Sequence, residues 1–454
     1  MEAHRGQIFK TFSEKVGRFS LRDKVFLIPE MNRIGCHLLA GTFRGFGINA
    51  LVMPTYEGLD RGKEFTSGKE CFPCQVTMGD ILQFLNDEKE RLGADFEPEN
   101  YIYFMPEATG PCRFGMYNKF QRIVLDSFPE LRNLKIGSLT TGNSYSVEGL
   151  IDEEQAQDFR KVAYFSVVIS DLLDRLLWRV RPYEKAPGLA DCHAERAVRE
   201  MSDAFETDGP AKDFDHILER LEGLVEEARS MIDPAIPRKP LIGVVGEIYL
   251  RTHVEANQDI IRLLERYGGE VVNASIAEWV NYTSYDGLRE AKQGFRLSLK
   301  QWRYQELKDH LKKIIASGGK LYYQQAKQRQ AYDRVRRLID LAEDHQIKDL
   351  EKTLMETGVF SFDLGTEACL SIPGIIEYVR HGFNGVVNVY PFTCMPSTVT
   401  SAVVKPMMSE MKVPYLDAAY DGSFQPGREA AIRTFMYQAQ RHLERHGRKG
   451  RKTV

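Results

Sequence analysis

What the chain lacks narrows the field first. No apolar run in its 454 residues approaches the ~18 needed to cross a membrane. The opening MEAHRGQIFKTFSEK has no apolar core of a signal peptide. A cytoplasmic protein that does not engage membranes is therefore the expectation. Charge of one sign is also missing. Lys and Arg number 61 against 64 Asp and Glu, a net charge of −3, so no overall field favours nucleic acid or an anionic lipid surface. No segment fits the P-loop G-x-x-x-x-G-K-S/T. The nearest, Gly62 through Gly68-Lys69-Glu70, is one residue too long between its glycines and has Glu after the lysine. Cysteine is scarce, and its seven copies are an odd set in a reducing compartment. That argues against a disulfide framework and leaves the thiols for packing, metal or catalysis.

What is present is a globular balance of 43% hydrophobic and 28% charged residues. The length is about three times the ~150 residues of a common domain, which predicts two or three of them. VFLIP at 25–29, a helix over about 32–46 and INALVMP at 48–54 read as an α/β unit, continued by YIYFMP at 101–106 and LKIGSL at 134–139. An N-terminal α/β domain over 1–150 is expected. From 152 the period changes to three and four, with Val162, Phe165, Ile169, Leu172, Leu173 and Leu176 on one helix face. This helical segment, 151–235, is expected to pack on the first domain. DPAIPRKP then marks a boundary, and LIGVVGE at 241–247 opens a second α/β domain over 236–454. A helical insertion at about 287–357 interrupts it. The insertion is rich in Lys, Gln and Tyr but interleaved with acids, so a solvated hairpin is favoured over an RNA-binding surface. RHLERHGRKGRKTV at the end reads as a solvated tail. The fold class is thus α/β, two open parallel-sheet halves with added helices.

Several thiols share one kind of position, a loop leaving a buried strand just ahead of a helix. Cys71 and Cys74 lie in TSGKECFPCQVTMGD, Cys112 in YIYFMPEATGPCRFG, Cys369 in GTEACLSIPG and Cys394 in VVNVYPFTCMPSTV. A helix dipole at such a place favours thiolate over thiol. Separations of 41 residues (71 to 112) and 282 (112 to 394) match neither a zinc ribbon nor a ferredoxin, and a cluster built from distant loops is chemically reasonable. A redox pair, a structural zinc at Cys71/Cys74 and plain packing stay open beside it. Cys36 falls on an apolar helix face and Cys192 in the loop ADCHAER, so both read as bystanders. Glu247 follows a strand and suits an acid/base or a hydrogen-bonding brace; its glycines, Gly243 and Gly246, do not complete a nucleotide fingerprint. Arg113, beside Cys112, could meet cluster charge, a substrate anion or a surface carboxylate.

Those strings carry a resemblance. KECFPCQVTMGD, ATGPCRFGMYNKFQ, WRVRPYE, GVVGEIYLRTHVEANQDI, ASIAEWVNY, NVYPFTCMPS and YLDAAYDG resemble the 2-hydroxyacyl-CoA dehydratase superfamily over roughly 22–440. The nearest branch is the CoA-activase-related (acyl-CoA dehydratase activase-related) proteins. The resemblance implies two Rossmann-like halves with an iron–sulfur cluster in the cleft between them. It implies a [4Fe–4S] cluster on Cys71, Cys112 and Cys394, with Cys74 the alternative to Cys71. The related double-cubane cluster proteins hold an [8Fe–9S] cluster on six cysteines, for which Cys74 and Cys369 bring this chain to five. The family removes an unactivated β-proton through a ketyl radical, using one low-potential electron delivered by ATP hydrolysis. Longer relatives carry the ATPase activator ahead of this region. None is found within these 454 residues, so the resemblance implies a separate activator as electron donor. The expected substrate is an acyl-CoA or a small reducible molecule, and a dimer is expected. A cluster-bearing electron relay or scaffold is the non-catalytic alternative.

Overall fold

The computed structural model describes residues 14–447 except 68, 109, 141–146 and 148. Of the basic C-terminal string, the last helix reaches His446, and 448–454 lie outside the described residues.

The short apolar runs become parallel strands because helices cover both of their faces, leaving no solvent side to alternate towards. All six residues of LIGVVG are buried for this reason. Strands β1 (Val16–Gly17), β2 (Val25–Pro29), β3 (Asn49–Met53), β4 (Tyr101–Phe104) and β5 (Lys135–Gly137) form one sheet in the order β1-β5-β4-β2-β3. Strands β6 (Leu241–Gly246), β7 (Glu270–Asn273), β8 (Gly385–Pro391) and β9 (Tyr415–Tyr420) form a second, β7-β6-β8-β9. Every pairing is parallel, with Phe26 opposite Ala50 and Ile102, and Val244 opposite Asn273 and Val387. With the two-residue edge strand β1 set aside, both sheets repeat one order: second, first, third, fourth. Winding reverses between the first and third strands, at β2/β4 and at β6/β8. Open α/β sheets hold ligands beyond the carboxyl ends of strands at such a point.

Those carboxyl ends face each other. Thr55, after β3, lies 2.9 Å from His253, after β6. The Thr252 hydroxyl donates to the Met31 carbonyl after β2 at 3.3 Å, and Lys63 donates to the Gly422 carbonyl after β9 at 3.4 Å.

The helix Glu153–Val180 buries the expected apolar face, Val162 to Leu176. It packs with Leu189–Thr207 and Phe214–Ser230, but its apolar cluster also takes in Ile34 and Leu38 from one half and Ala277 and Tyr332 from the other. The segment therefore joins both halves instead of resting on the first alone. Asp174 accepts from Asn32 Nδ2 at 3.2 Å, while Asp171 accepts the Ile276 and Ala277 N–H groups at 2.9 and 2.8 Å. The proline-rich boundary is likewise no free linker: Asp233 N–H donates to the Tyr183 carbonyl and Lys239 N–H to its hydroxyl.

Several boundaries differ from the sequence reading. ADCHAER lies within the helix 189–207, because a Gly188 at φ 91 starts it earlier. The helix after Cys71 begins at Phe72, with Pro73 accommodated in its first turn where no N–H is required. The helical insertion starts at Ile276, capped by the Ser275 hydroxyl, and runs as Ile276–Lys300 and Tyr304–Val335 before Ile347–Thr357. Among the described residues, no helix is long and apolar enough to cross a membrane.

Candidate functional site

Three cysteines occupy the same structural position. Cys71 is the N-cap of the helix Phe72–Leu92, Cys112 of the 3₁₀ turn Arg113–Met116, and Cys394 of the helix Met395–Met411. An N-cap is normally Ser, Thr, Asp or Asn, whose oxygen accepts an N–H of the first turn, and losing that bond costs about 1 kcal/mol. None of the three thiols makes a capping bond of standard geometry, though the Phe114 N–H faces the Cys112 sulfur and the Ser397 N–H and hydroxyl face that of Cys394. At each of three helix starts a sulfur stands where an oxygen is usual.

The backbone pays in strain at two of these loops. Cys71 stands at φ 93, ψ 145, and Thr393, just before Cys394, at φ 64. Such conformations are uncommon for non-glycine residues and collect at functional sites. Arg113 ties the loops together. Its Nη1 donates to the Lys69 carbonyl at 2.7 Å and its Nη2 to the Thr393 carbonyl at 3.0 Å and hydroxyl at 3.3 Å. One guanidinium thus spans from the Cys112 turn to the segments preceding Cys71 and Cys394. It meets two backbone carbonyls and a hydroxyl there.

Two carboxylates complete the group. Glu247 follows β6, and its oxygens accept the Tyr249 and Leu250 N–H groups at 3.2 and 2.9 Å. Glu367 Oε1 accepts Ile248 N–H at 3.0 Å. Burial first, and then the neighbouring Glu367 carboxylate, push the Glu247 carboxyl well above its ordinary range; burial also raises Glu367. Two acids so placed against one loop favour sharing a proton over ionising together. Gly246 makes the turn possible: at φ 119, a Cβ there would stand 2.1 Å from the Val389 carbonyl oxygen.

The same electrostatics overturn the expectation of thiolates. Burial pushes the Cys71 thiol to about 11 despite the Tyr117 hydroxyl bonded to it and the nearby Arg113. Cys112 rises to about 12, through burial and then Glu367, and Cys394 rises from the same causes. A helix N-terminus contributes about 1 kcal/mol or less at an exposed site, too little to offset desolvation. The protein alone holds these sulfurs as thiols.

The other cysteines are placed differently. Cys74 is fully buried one turn into its helix, beside Cys71 and against Met78 and Tyr103 in the core of the first sheet. Cys369 is buried in the core of the second sheet, with its thiol turned to the Ser361 and Phe362 carbonyls. Its charged neighbours are Asp286 and Arg289, not the cleft group. Cys36 donates to the Pro29 carbonyl in a core, and Cys192 is exposed on a helix surface. The structure therefore gathers Cys71, Cys112 and Cys394 with Cys74 behind the first, and leaves Cys369 apart.

Sequence reasoning missed Glu367. The signal was an acid at the start of a helix beside a cysteine already singled out, but only the tertiary fold sets it against Glu247.

Among the described residues, no three His, Cys, Asp or Glu side chains group as ligands of a single metal ion. Thiolates of a cluster bind separate irons and stand farther apart than that. The donor set fits such a group in chemistry: soft sulfurs, two buried and one half-buried, carrying protons that binding would release. No protein-family model matches this chain, and no curated protein matches it significantly.

Proposed function

We propose that the chain holds a [4Fe–4S] cluster on Cys71, Cys112 and Cys394 and acts as an enzyme of the 2-hydroxyacyl-CoA dehydratase type. It would take low-potential electrons from a separate ATP-hydrolysing activator for a reductive or radical dehydration, or for reduction, of an acyl-CoA or a small substrate. The observation that carries this reading is three thiols at three helix starts, where an oxygen cap is usual, at the facing carboxyl ends of two sheets. A cluster there supplies one-electron transfer and a Lewis-acidic iron.

The chain's own groups supply the rest. Arg113 positions the three loops through backbone carbonyls. Burial raises both Glu247 and Glu367, which favours a proton held between them. With Glu367 Oε1 engaged by Ile248 N–H, its Oε2 is the atom to carry that proton to a departing hydroxyl. The apolar walls of the first core, with Tyr117 and Met105, limit water on the Cys71 side.

Anaerobic purification tests the reading. The expected product is a brown protein with ~4 iron per chain that loses its iron in Cys112→Ala and Cys394→Ala but keeps it in Cys36→Ala. Iron retained by Cys394→Ala rejects this ligand set, and a colourless protein with one zinc rejects the cluster. Turnover that requires activator and ATP separates an enzyme from an electron relay.

A further inference from the structure

The helix Tyr304–Val335 carries a row of apolar side chains that nothing in the described chain covers. Tyr304 is 59% exposed, Leu311 49%, Ile315 67% and Tyr322 76%. Their spacings are seven, four and seven residues, which keeps all four within a narrow stripe at 3.6 residues per turn. The opposite side of the same helix is occupied, since Leu321, Gln324, Gln328 and Ala331 are buried. The stripe is therefore an outer face, not a core face that has slipped.

The spacing has a symmetry. Leu311 and Ile315 lie equally far on either side of Lys313, and so do Tyr304 and Tyr322. Two such helices laid antiparallel, centred on that point, set Tyr304 against the other copy's Tyr322 and Leu311 against the other copy's Ile315. This is the self-complementary pattern of a two-fold contact, in which residue i of one copy meets residue j of the other and j meets i in turn. Lys308 falls opposite Gly318 in that register. A Cβ at Gly318 would meet only Leu288 Cδ1 at 3.9 Å, so the backbone there leaves room for the lysine stem. Trp302, 75% exposed and edge-on to Tyr304 at 6.0 Å, extends the patch at each end.

We infer that this stripe pairs two copies of the chain in an antiparallel, two-fold dimer. An aromatic ring contributes ~150–250 Å² when fully buried. Four partly exposed rings and four aliphatic side chains from two copies then bury on the order of 1,000 Å², the lower bound of a specific interface. Charge favours no simple attraction between copies. Residues 287–320 hold nine Lys and Arg against three acids, so like charges flank the seam. Salt that screens them should strengthen the pairing, the opposite of what an acidic partner protein would show.

Sedimentation velocity on the full chain reads the proposal. The expected result is a concentration-dependent monomer–dimer equilibrium that shifts towards dimer as salt rises. Ile315→Glu places a charge in the seam from each copy and should raise the dissociation constant roughly a hundredfold or more. Because Ile315 is exposed, the variant should keep its circular dichroism. Tyr437→Glu, on another exposed helix face, should leave the equilibrium unchanged. Register is read in a Cys192→Ser background: Tyr304→Cys with Tyr322→Cys should oxidise to a linked dimer, and Tyr304→Cys alone should not. A monomer at every concentration and salt, a dimer indifferent to Ile315→Glu, or a linked dimer from Tyr304→Cys alone overturns the inference.

Discussion

Replacing Asp80 with Asn should change how stability depends on pH, and the size of the change follows from one buried array. Thr55 donates its hydroxyl to Asp80 Oδ2 at 2.7 Å and lies 2.9 Å from His253 Nε2, while Tyr56 N–H donates to Asp80 Oδ1 at 2.7 Å. Ala256 N–H donates to His253 Nδ1 at 3.2 Å, and Glu255 Oε2 lies 3.4 Å from the same nitrogen. Burial raises the Asp80 carboxyl from 3.8 to about 7, with Glu30 and Glu255 adding to the rise. Burial lowers His253 from 6.5 to about 4. The signs are opposed. Between 3.8 and about 7, folded Asp80 holds a proton the unfolded chain has released, so stability falls as pH rises. Between about 4 and 6.5, folded His253 lacks a proton the unfolded chain holds, so stability rises with pH. Each slope is about 1.4 kcal/mol per pH unit, and in the wild type they cancel over their shared window. Asp80→Asn removes the falling member. Its stability relative to wild type should climb by about 3 kcal/mol from pH 4.5 to 6.5 and then level off. Urea unfolding at a series of pH values measures this, and taking the difference between the proteins removes every group they share. Parallel profiles would refute the reasoning.

Gly246→Ala should cost about 3 kcal/mol or more, because its Cβ would stand 2.1 Å from the Val389 carbonyl oxygen; an unchanged thermal midpoint contradicts this. Arg113→Ala should lower the iron retained on anaerobic purification while circular dichroism stays the same, and Arg113→Lys should recover only part, since one ammonium cannot span the Lys69 and Thr393 carbonyls as the guanidinium does. Asp171→Ala removes the acceptor for two N–H groups at the start of the helix 276–300. It should cost about 1–2 kcal/mol, and hydrogen exchange should quicken at Ile276 and Ala277.

The strands were legible because both-face burial writes them as short apolar runs, and VFLIP and LIGVVG fall where expected. The long helix 153–180 was legible from its three- and four-residue period. The edge strand Val16–Gly17 and the helix Leu59–Glu64 were not: too few residues repeat to make a period. At the site, the shared placement of Cys71, Cys112 and Cys394 could be read from the strand–loop–helix pattern. The ionisation state could not, because desolvation depends on atoms brought in by the fold. The carbonyl-bound Arg113 and the pairing of Glu247 with Glu367 were equally out of reach, since each joins segments more than a hundred residues apart.

The helix Glu153–Val180 acts as a gauge between the two halves. Asp174 holds Asn32 of one half and Asp171 holds the helix start at Ile276 of the other. These two carboxylates are three residues apart, about 4.5 Å along the axis. Residues three apart share one face of a helix, so the two halves are tied side by side to a single stripe of this helix. The register of the facing strand ends at this level is thus held by one helix face, independently of the contacts the strand-end loops make with each other.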